Sequence, residues 1–177
     1  LQRELELAGE MQSMLVPSTV KADKFREIGV HYRPHHHVGG DYYDVIEIDH
    51  GEVAMAMADV SGKGMPAAFL MSNFQAHLHA LLTHRSDDLE ALVVELNERV
   101  FKSAGGERFI TLFIAIHNPS KGSIRYVNCG HNPPLFAPSQ GEACFLAPGC
   151  PGLGMLEVLE SVHVDTLDLN AGDTLCL

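Results

Sequence analysis

Val45-Ile46-Glu47-Ile48-Asp49-His50-Gly51-Glu52-Val53-Ala54-Met55-Ala56-Met57-Ala58 reads as two strands folded about a turn. Asp49-His50-Gly51 supplies the turn, because the glycine accepts backbone angles that other residues resist. The returning strand carries alanines on one face and Val53, Met55 and Met57 on the other. Two apolar faces predict a central strand covered on each side, ending at Asp59. Upstream, Ile28, Val30 and Tyr32 alternate with polar residues and predict a further, half-buried strand.

The two ends of this hairpin carry acids. Val38-Gly39-Gly40-Asp41-Tyr42-Tyr43-Asp44 leads into it, and Ala58-Asp59-Val60-Ser61-Gly62-Lys63-Gly64 leads out. Antiparallel pairing therefore places Asp41 and Asp59 at one end of the sheet. Two carboxylates held close repel unless they share a proton or a cation. Oxygen ligands of this kind suit Mg²⁺ or Mn²⁺ better than Zn²⁺. Taken alone, Asp59 reads equally well as a cap for the helix that follows. Gly62 and Gly64 sharpen the metal reading, since glycine lets backbone carbonyls come close to a ligand. The stretch is no phosphate-binding P-loop, for it lacks the GxxxxGK[ST] spacing.

Beyond Gly64 the periodicity changes from two to 3.6. Ala67, Leu70, Met71, Phe74, Leu78 and Leu81 form one helical stripe behind Pro66. Leu89, Leu92, Val93, Leu96 and Val100 form another over Leu89 to Lys102, with Asp87 as its expected cap and Gly105-Gly106 as its stop. Strands return at Phe109 to Ile116 and Ser123 to Asn128, joined by Asn118-Pro119-Ser120-Lys121-Gly122. Shorter strands are expected at Pro134 to Ala137, Ala143 to Leu146, Ser161 to Leu169 and Thr174 to Leu177. Sheet, helix pair and sheet in that order predict an α+β fold of two antiparallel sheets with helices outside.

Composition narrows the function. The chain of 177 residues has 12 Lys and Arg against 23 Asp and Glu, a formal net charge of -11. No basic face is available for phosphate neutralisation, which argues against nucleic acid as a partner. No apolar run reaches the roughly 18 residues of a membrane span, and the charged N-terminus is unlike a signal peptide. Cys129, Cys144, Cys150 and Cys176 include no CxxC pair, which fits a reducing cytoplasm better than a disulfide scaffold. For the same reason a zinc set of His131, Cys129, Cys144 and Cys150 is set aside.

Residues 1–16 read as a helix stopped by Pro17. Leu1, Leu5, Ala8, Gln12 and Leu15 make one stripe, and Leu7, Met11 and Met14 a second beside it. One stripe is expected to dock on the domain. The second would serve a linker helix from an upstream domain or a homodimer.

Three motifs together resemble the sporulation-stage-II-E type phosphatases, a bacterial branch of the PP2C-like serine/threonine phosphatases. They are Gly39 to Asp44, Ala58 to Gly64 and Asn128-Cys129-Gly130-His131-Asn132-Pro133-Pro134. Leu7 to Pro17 resembles the helix leading into that domain, and Gly149 to Gly154 a degenerate form of its later Gly-Pro-Leu-Gly loop. The resemblance implies an α-β-β-α sandwich over residues 17–177, incomplete at its C-terminus, behind a linker helix at 1–16. It implies two ions, Mn²⁺ or Mg²⁺, with Asp59 bridging them, Asp41 as an acidic ligand and the Val60 carbonyl as a third donor. Asp44 would support the site from behind, with Gly62 and Gly64 in its loop, and Asn128 to Pro134 would be structural.

The implied reaction is hydrolysis of phosphoserine or phosphothreonine on a signalling protein, such as an anti-sigma-factor antagonist, under an attached sensor or receiver domain. Two cations about 4 Å apart activate a water and neutralise the phosphoryl oxygens, so no protein nucleophile is needed. Two departures stand against the pattern. Pro34-His35-His36-His37 replaces small and acidic residues, and Cys129 replaces a common alanine. The family's Ser/Thr-Asp-Gly motif and a later metal-binding aspartate are expected past Leu177.

A partner-binding module of the same fold without catalysis is the alternative. A hydrolase of small phosphate esters ranks third. Other candidates read as bland. His35 to His37 are a polar loop, His77, His79 and His84 ordinary helix histidines, and Met55 and Met57 core. Lys63, Arg33 and Arg108 are basic residues that nothing local assigns to phosphate.

Overall fold

The computed structural model describes residues 2–20, 22–33 and 38–177, leaving the side chain of His50 aside. The expectations for His35 to His37 and for Leu1 lie outside the described residues.

A five-stranded antiparallel sheet organises the chain, in the order β1-β2-β3-β4-β7. Its strands are β1 (Tyr42–Glu47), β2 (Val53–Val60), β3 (Ile110–Asn118), β4 (Ser123–Cys129) and β7 (Asp165–Asp168). A smaller sheet runs β6-β5-β8, from β5 (Leu135–Ala137), β6 (Cys144–Phe145) and β8 (Thr174–Cys176). The hairpin that opened the sequence is β1 and β2 joined by a 3-10 turn at Asp49–Gly51, with Gly51 at φ 75°.

Strand β2 lies between β1 and β3, as its two apolar faces require. Ala54, Ala56, Ala58 and Val60 face one core, shared with Tyr42 and the helices α2 (Met65–Arg85) and α3 (Leu89–Ala104). Met55 points the other way, against a second core of Phe113, Ala115, Ile124, Tyr126, Phe136 and Leu146 beneath the small sheet. Helices, large sheet and small sheet therefore form successive layers, the α+β arrangement that the segment order predicts.

Each helix follows its stripe. Ala67, Leu70, Met71, Phe74, Leu78 and Leu81 are all buried on α2, and Leu89, Leu92, Val93, Leu96 and Val100 on α3. Gly105 closes α3 in the left-handed region at φ 61°. Its cap is Asp88, not Asp87. The Asp88 carboxylate accepts from the Ala91 N–H at 2.9 Å, while the Asp87 carbonyl accepts from Arg125 at 2.8 Å.

Three more expectations need correction. Ile28, Val30 and Tyr32 form no strand. Ile28 and Tyr32 are half-buried, but the segment pairs with no neighbour and Val30 stays exposed. Alternation supplied a buried side without a ladder to join. Strand β2 runs on to Val60 rather than stopping at Asp59, because β3 pairs with it as far as Ile110. The first helix, α1 (Gln2–Ser13), ends before Val16. Its last turn tightens, Met14 N–H donating to Met11 and Leu15 N–H to Gln12, and the chain then leaves for Pro17.

On α1 the two stripes part company. Leu5, Ala8 and Gln12 are half-buried, and Leu15 just beyond the helix packs on the helix-side core. Leu7, Met11 and Met14 are exposed. No described helix is long and apolar enough to cross a membrane.

Candidate metal centre

Strand register brings the two acids together. Tyr42 pairs with Ala58, so the next position outward sets Asp41 beside Asp59. Opposite residues of an antiparallel pair share a face, here the one that carries Tyr43 and Met57. Partial desolvation of this largely exposed side chain, the negative charge of Asp41 and a hydrogen bond to the Asp41 carboxyl raise Asp59 above the usual carboxylate range. Two carboxyls so placed resist ionising together. Their oxygen-only donor set is one that a hard divalent cation accepts. Among the described residues no third His, Cys, Asp or Glu joins the pair as a potential ligand.

The glycines do specific work at this end. A Cβ on Gly40 would lie 2.9 Å from both the Val60 carbonyl oxygen and the Val60 Cβ, so only glycine lets the Asp41 strand lie against Val60. The Val60 N–H donates to the Gly40 carbonyl at 3.3 Å. Gly62, at φ 93°, faces a different neighbour. A Cβ there would meet the Arg108 guanidinium, which donates to the Ser61 carbonyl at 2.9 Å. Gly64, at φ 73°, leads directly into α2. Ser61 is fastened twice to Phe109, its N–H donating to the carbonyl at 2.8 Å and its hydroxyl accepting from the N–H at 2.9 Å.

Asp44 lies apart from the acid pair. It is buried on the helix side of β1, accepting from the Tyr42 hydroxyl at 2.6 Å and the Val45 N–H at 2.8 Å, with His79 Nε2 at 2.6 Å. Asp44 therefore ties β1 to α2, a structural role. His79, read from the sequence as an ordinary helix histidine, is its partner.

The Asn128 to Pro134 turn closes on itself. The Asn128 amide donates to the His131 carbonyl at 3.1 Å and accepts from the His131 N–H at 2.8 Å. His131 Nδ1 sits 3.0 Å from the Thr111 hydroxyl, and Thr111 pairs with Asp59 across β2 and β3. Burial lowers the His131 pKa, which favours the neutral ring.

Sequence reasoning missed two contacts at the acid end. Tyr32, expected in a strand, donates its hydroxyl to the Asp41 carbonyl at 3.3 Å. Gln12, assigned to an apolar stripe, holds Gly39 through both of its amide atoms. A lone polar residue within that stripe was the available signal.

Comparison with known proteins agrees with this architecture. The family described as Stage II sporulation protein E (SpoIIE) matches residues 49–177. Phosphoserine phosphatase RsbU of Bacillus subtilis (strain 168) is 32% identical over 139 residues, 77% of this chain and 40% of that protein. The structure of the RsbU and RsbW domains of Rv1364c from Mycobacterium tuberculosis is 27% identical at a TM-score of 0.62, over 78% of this chain and 38% of that one. The SiaA-PP2C domain of Pseudomonas aeruginosa, 17% identical, shares the fold at a TM-score of 0.76 over 98% of this chain and 69% of that one. The chain spans about 40% of the length of the RsbU relative. By the family match the chain belongs to the SpoIIE family, and it shares the fold of the PP2C domain of SiaA.

Proposed function

We propose that this domain hydrolyses phosphoserine or phosphothreonine monoesters on a signalling protein, with Asp41 and Asp59 as ligands of two divalent cations, Mn²⁺ or Mg²⁺. The observation that carries the proposal is the contact between those two carboxyls at the open end of β1 and β2. The likeness to a protein named phosphoserine phosphatase supports the substrate class.

Bound cations would supply a water of lowered pKa and would neutralise the phosphoryl oxygens. The chain's own residues prepare the place. Asp41 and Asp59 would bind as carboxylates, and the Val60 carbonyl is the third donor of this reading. Gly40 sets the spacing of the two strands there. Arg108 fixes the Ser61-Gly62 turn beside them. Asp44, Gly62 and Gly64 act on conformation rather than as ligands.

The substrate of this reading is an anti-sigma-factor antagonist in its phosphorylated form, and residues 1–16 join the domain to a sensor or receiver domain or to a second copy. The test is phosphate release from a phosphoserine peptide and from an aryl phosphate, with and without Mn²⁺. Metal-dependent release from the peptide, abolished by Asp59→Asn, is the expected result. Metal-independent release, or release unchanged by Asp59→Asn, would overturn the assignment.

A further inference from the structure

Cys129 ends β4, and Cys150 lies in the segment that folds back beside it. The two residues form an isolated parallel bridge. Bridged strands lie about 4.7–4.9 Å apart, within the roughly 4.4–6.8 Å between Cα atoms that a disulfide spans. The backbone holds them there. Gly149 N–H and Cys150 N–H both donate to the Asn128 carbonyl, at 2.7 and 3.2 Å. Next along, Gly130 at φ 63° passes so close to Gly152 that an added Cβ would sit 2.9 Å from its nitrogen.

The two side chains are close enough for each to shift the other's titration. Both belong to the helix-side core, Cys129 fully buried and Cys150 9% exposed, so a small molecule reaches the pair by way of Cys150. Cys144 and Cys176 offer no such pair. They are exposed, on β6 and β8, which flank β5 on opposite sides.

We propose that Cys129 and Cys150 form a peroxide-oxidisable dithiol that closes to an intramolecular disulfide. Cys150 is the attacking thiol. It is the more exposed of the two, and its pKa is lowered by Cys129 against the opposing effect of burial, while that of Cys129 is raised by Cys150 and by burial. Low-pKa cysteines with an adjacent resolving thiol are the ones that oxidise selectively.

The Cys150 thiolate attacks one oxygen of hydrogen peroxide and the O–O bond breaks. The departing hydroxide takes up the proton that Cys150 released, leaving a sulfenic acid and water. The Cys129 sulfur then attacks the sulfenic sulfur, the S–O bond breaks, and the hydroxyl leaves with the Cys129 proton as a second water. Two thiols have lost two electrons and one peroxide has gained them. The new bond would lock the 128–131 turn, with His131 against Thr111, onto the 149–153 segment.

The experiment uses the intact protein with Cys144→Ser and Cys176→Ser, both exposed positions, so that only the proposed pair remains. After stoichiometric hydrogen peroxide, the protein is denatured, alkylated with N-ethylmaleimide and mapped by mass spectrometry. The expected result is loss of both alkylation sites, a linked peptide containing Cys129 and Cys150, and full recovery of both sites after dithiothreitol. With Cys129→Ala in addition, dimedone should label Cys150 as the trapped sulfenic acid. Full alkylation of both thiols after peroxide overturns the proposal. So does a sulfinic acid at Cys150 with Cys129 still free, or a disulfide formed only between molecules.

Discussion

Gln12 and Gly39 grip each other with both polar groups of each residue. The Gln12 amide donates to the Gly39 carbonyl at 2.8 Å and accepts from the Gly39 N–H at 2.9 Å. Helix α1 is thereby fastened to the residue two before Asp41. Gln12→Ala removes both bonds at a half-buried place and is expected to cost about 1–3 kcal/mol in urea unfolding. Gln12→Glu keeps the acceptor but loses the donor, so its cost should fall between wild type and alanine. An unchanged midpoint for both variants would mean that the amide pair does not hold the helix.

Asp59 is expected to destabilise the metal-free fold at neutral pH. Its folded pKa lies above the ordinary 3.8, raised first by partial desolvation and then by the charge of Asp41 and the hydrogen bond to it. The folded state therefore binds more protons than the unfolded one as pH climbs past 3.8, and stability falls through that window and stays lower above it. Asp59→Asn should raise the metal-free melting temperature at pH 7, and by more there than at pH 3. Its metal-dependent turnover should drop by more than the roughly 10–100-fold that losing an outer partner of a metal ligand costs. A lower metal-free melting temperature would contradict the raised pKa of Asp59.

Asp44 should behave in the opposite way, as a part of the frame. Asp44→Ala leaves the buried Tyr42 hydroxyl and the Val45 N–H without their acceptor and removes the partner of His79. A loss of about 2–4 kcal/mol is expected in chemical denaturation. Tyr42→Phe should cost about 1 kcal/mol, since Asp44 keeps its other partners. Asp41→Ala, at an exposed position, should cost little by the same measurement.

Much of this was legible in the sequence, because it is local. The Asp49-His50-Gly51 turn fixes the hairpin, the hairpin fixes the Tyr42–Ala58 register, and the register brings Asp41 to Asp59. The stripes of α2 and α3 likewise announce which side they bury. What escaped reading depends on partners far along the chain. Gln12 reaches Gly39 across 27 residues, His79 reaches Asp44 across 35, and Cys150 meets Cys129 beyond the β5-β6 hairpin. Ile28 to Tyr32 shows the converse, an alternating pattern that meets no strand. Periodicity tells which side of a segment is buried, not which segment covers it.

Gly40→Ala tests how tightly the acid end is built. The added Cβ would meet backbone oxygen and side-chain carbon of Val60 at 2.9 Å, and β2 is held in place from its other side by β3. Neither strand can yield without breaking a ladder, so a loss of about 1–3 kcal/mol is expected. Gly39→Ala, whose Cβ would meet nothing nearer than 4.0 Å, should cost far less. Equal losses for the two would show that the Gly40–Val60 contact relaxes freely.

Acid should weaken the fold through histidines that are wholly or partly shielded from water. Burial lowers the pKa of His77, His117 and His131 below 6.5, helped at His77 by Arg99 and at His117 by Arg26, against an opposing pull from Asp23. The unfolded chain then binds more protons than the folded one once pH drops past 6.5, so stability is whole above that pH and is lost below it. The urea midpoint should be lower at pH 5.5 than at pH 7.5. Replacing His117, buried beside Arg26 at 2.9 Å, with glutamine should shrink that difference while keeping a hydrogen-bonding side chain there. A midpoint that stays level from pH 7.5 to 5.5 would mean that these rings take up protons in the folded state as readily as in the unfolded chain.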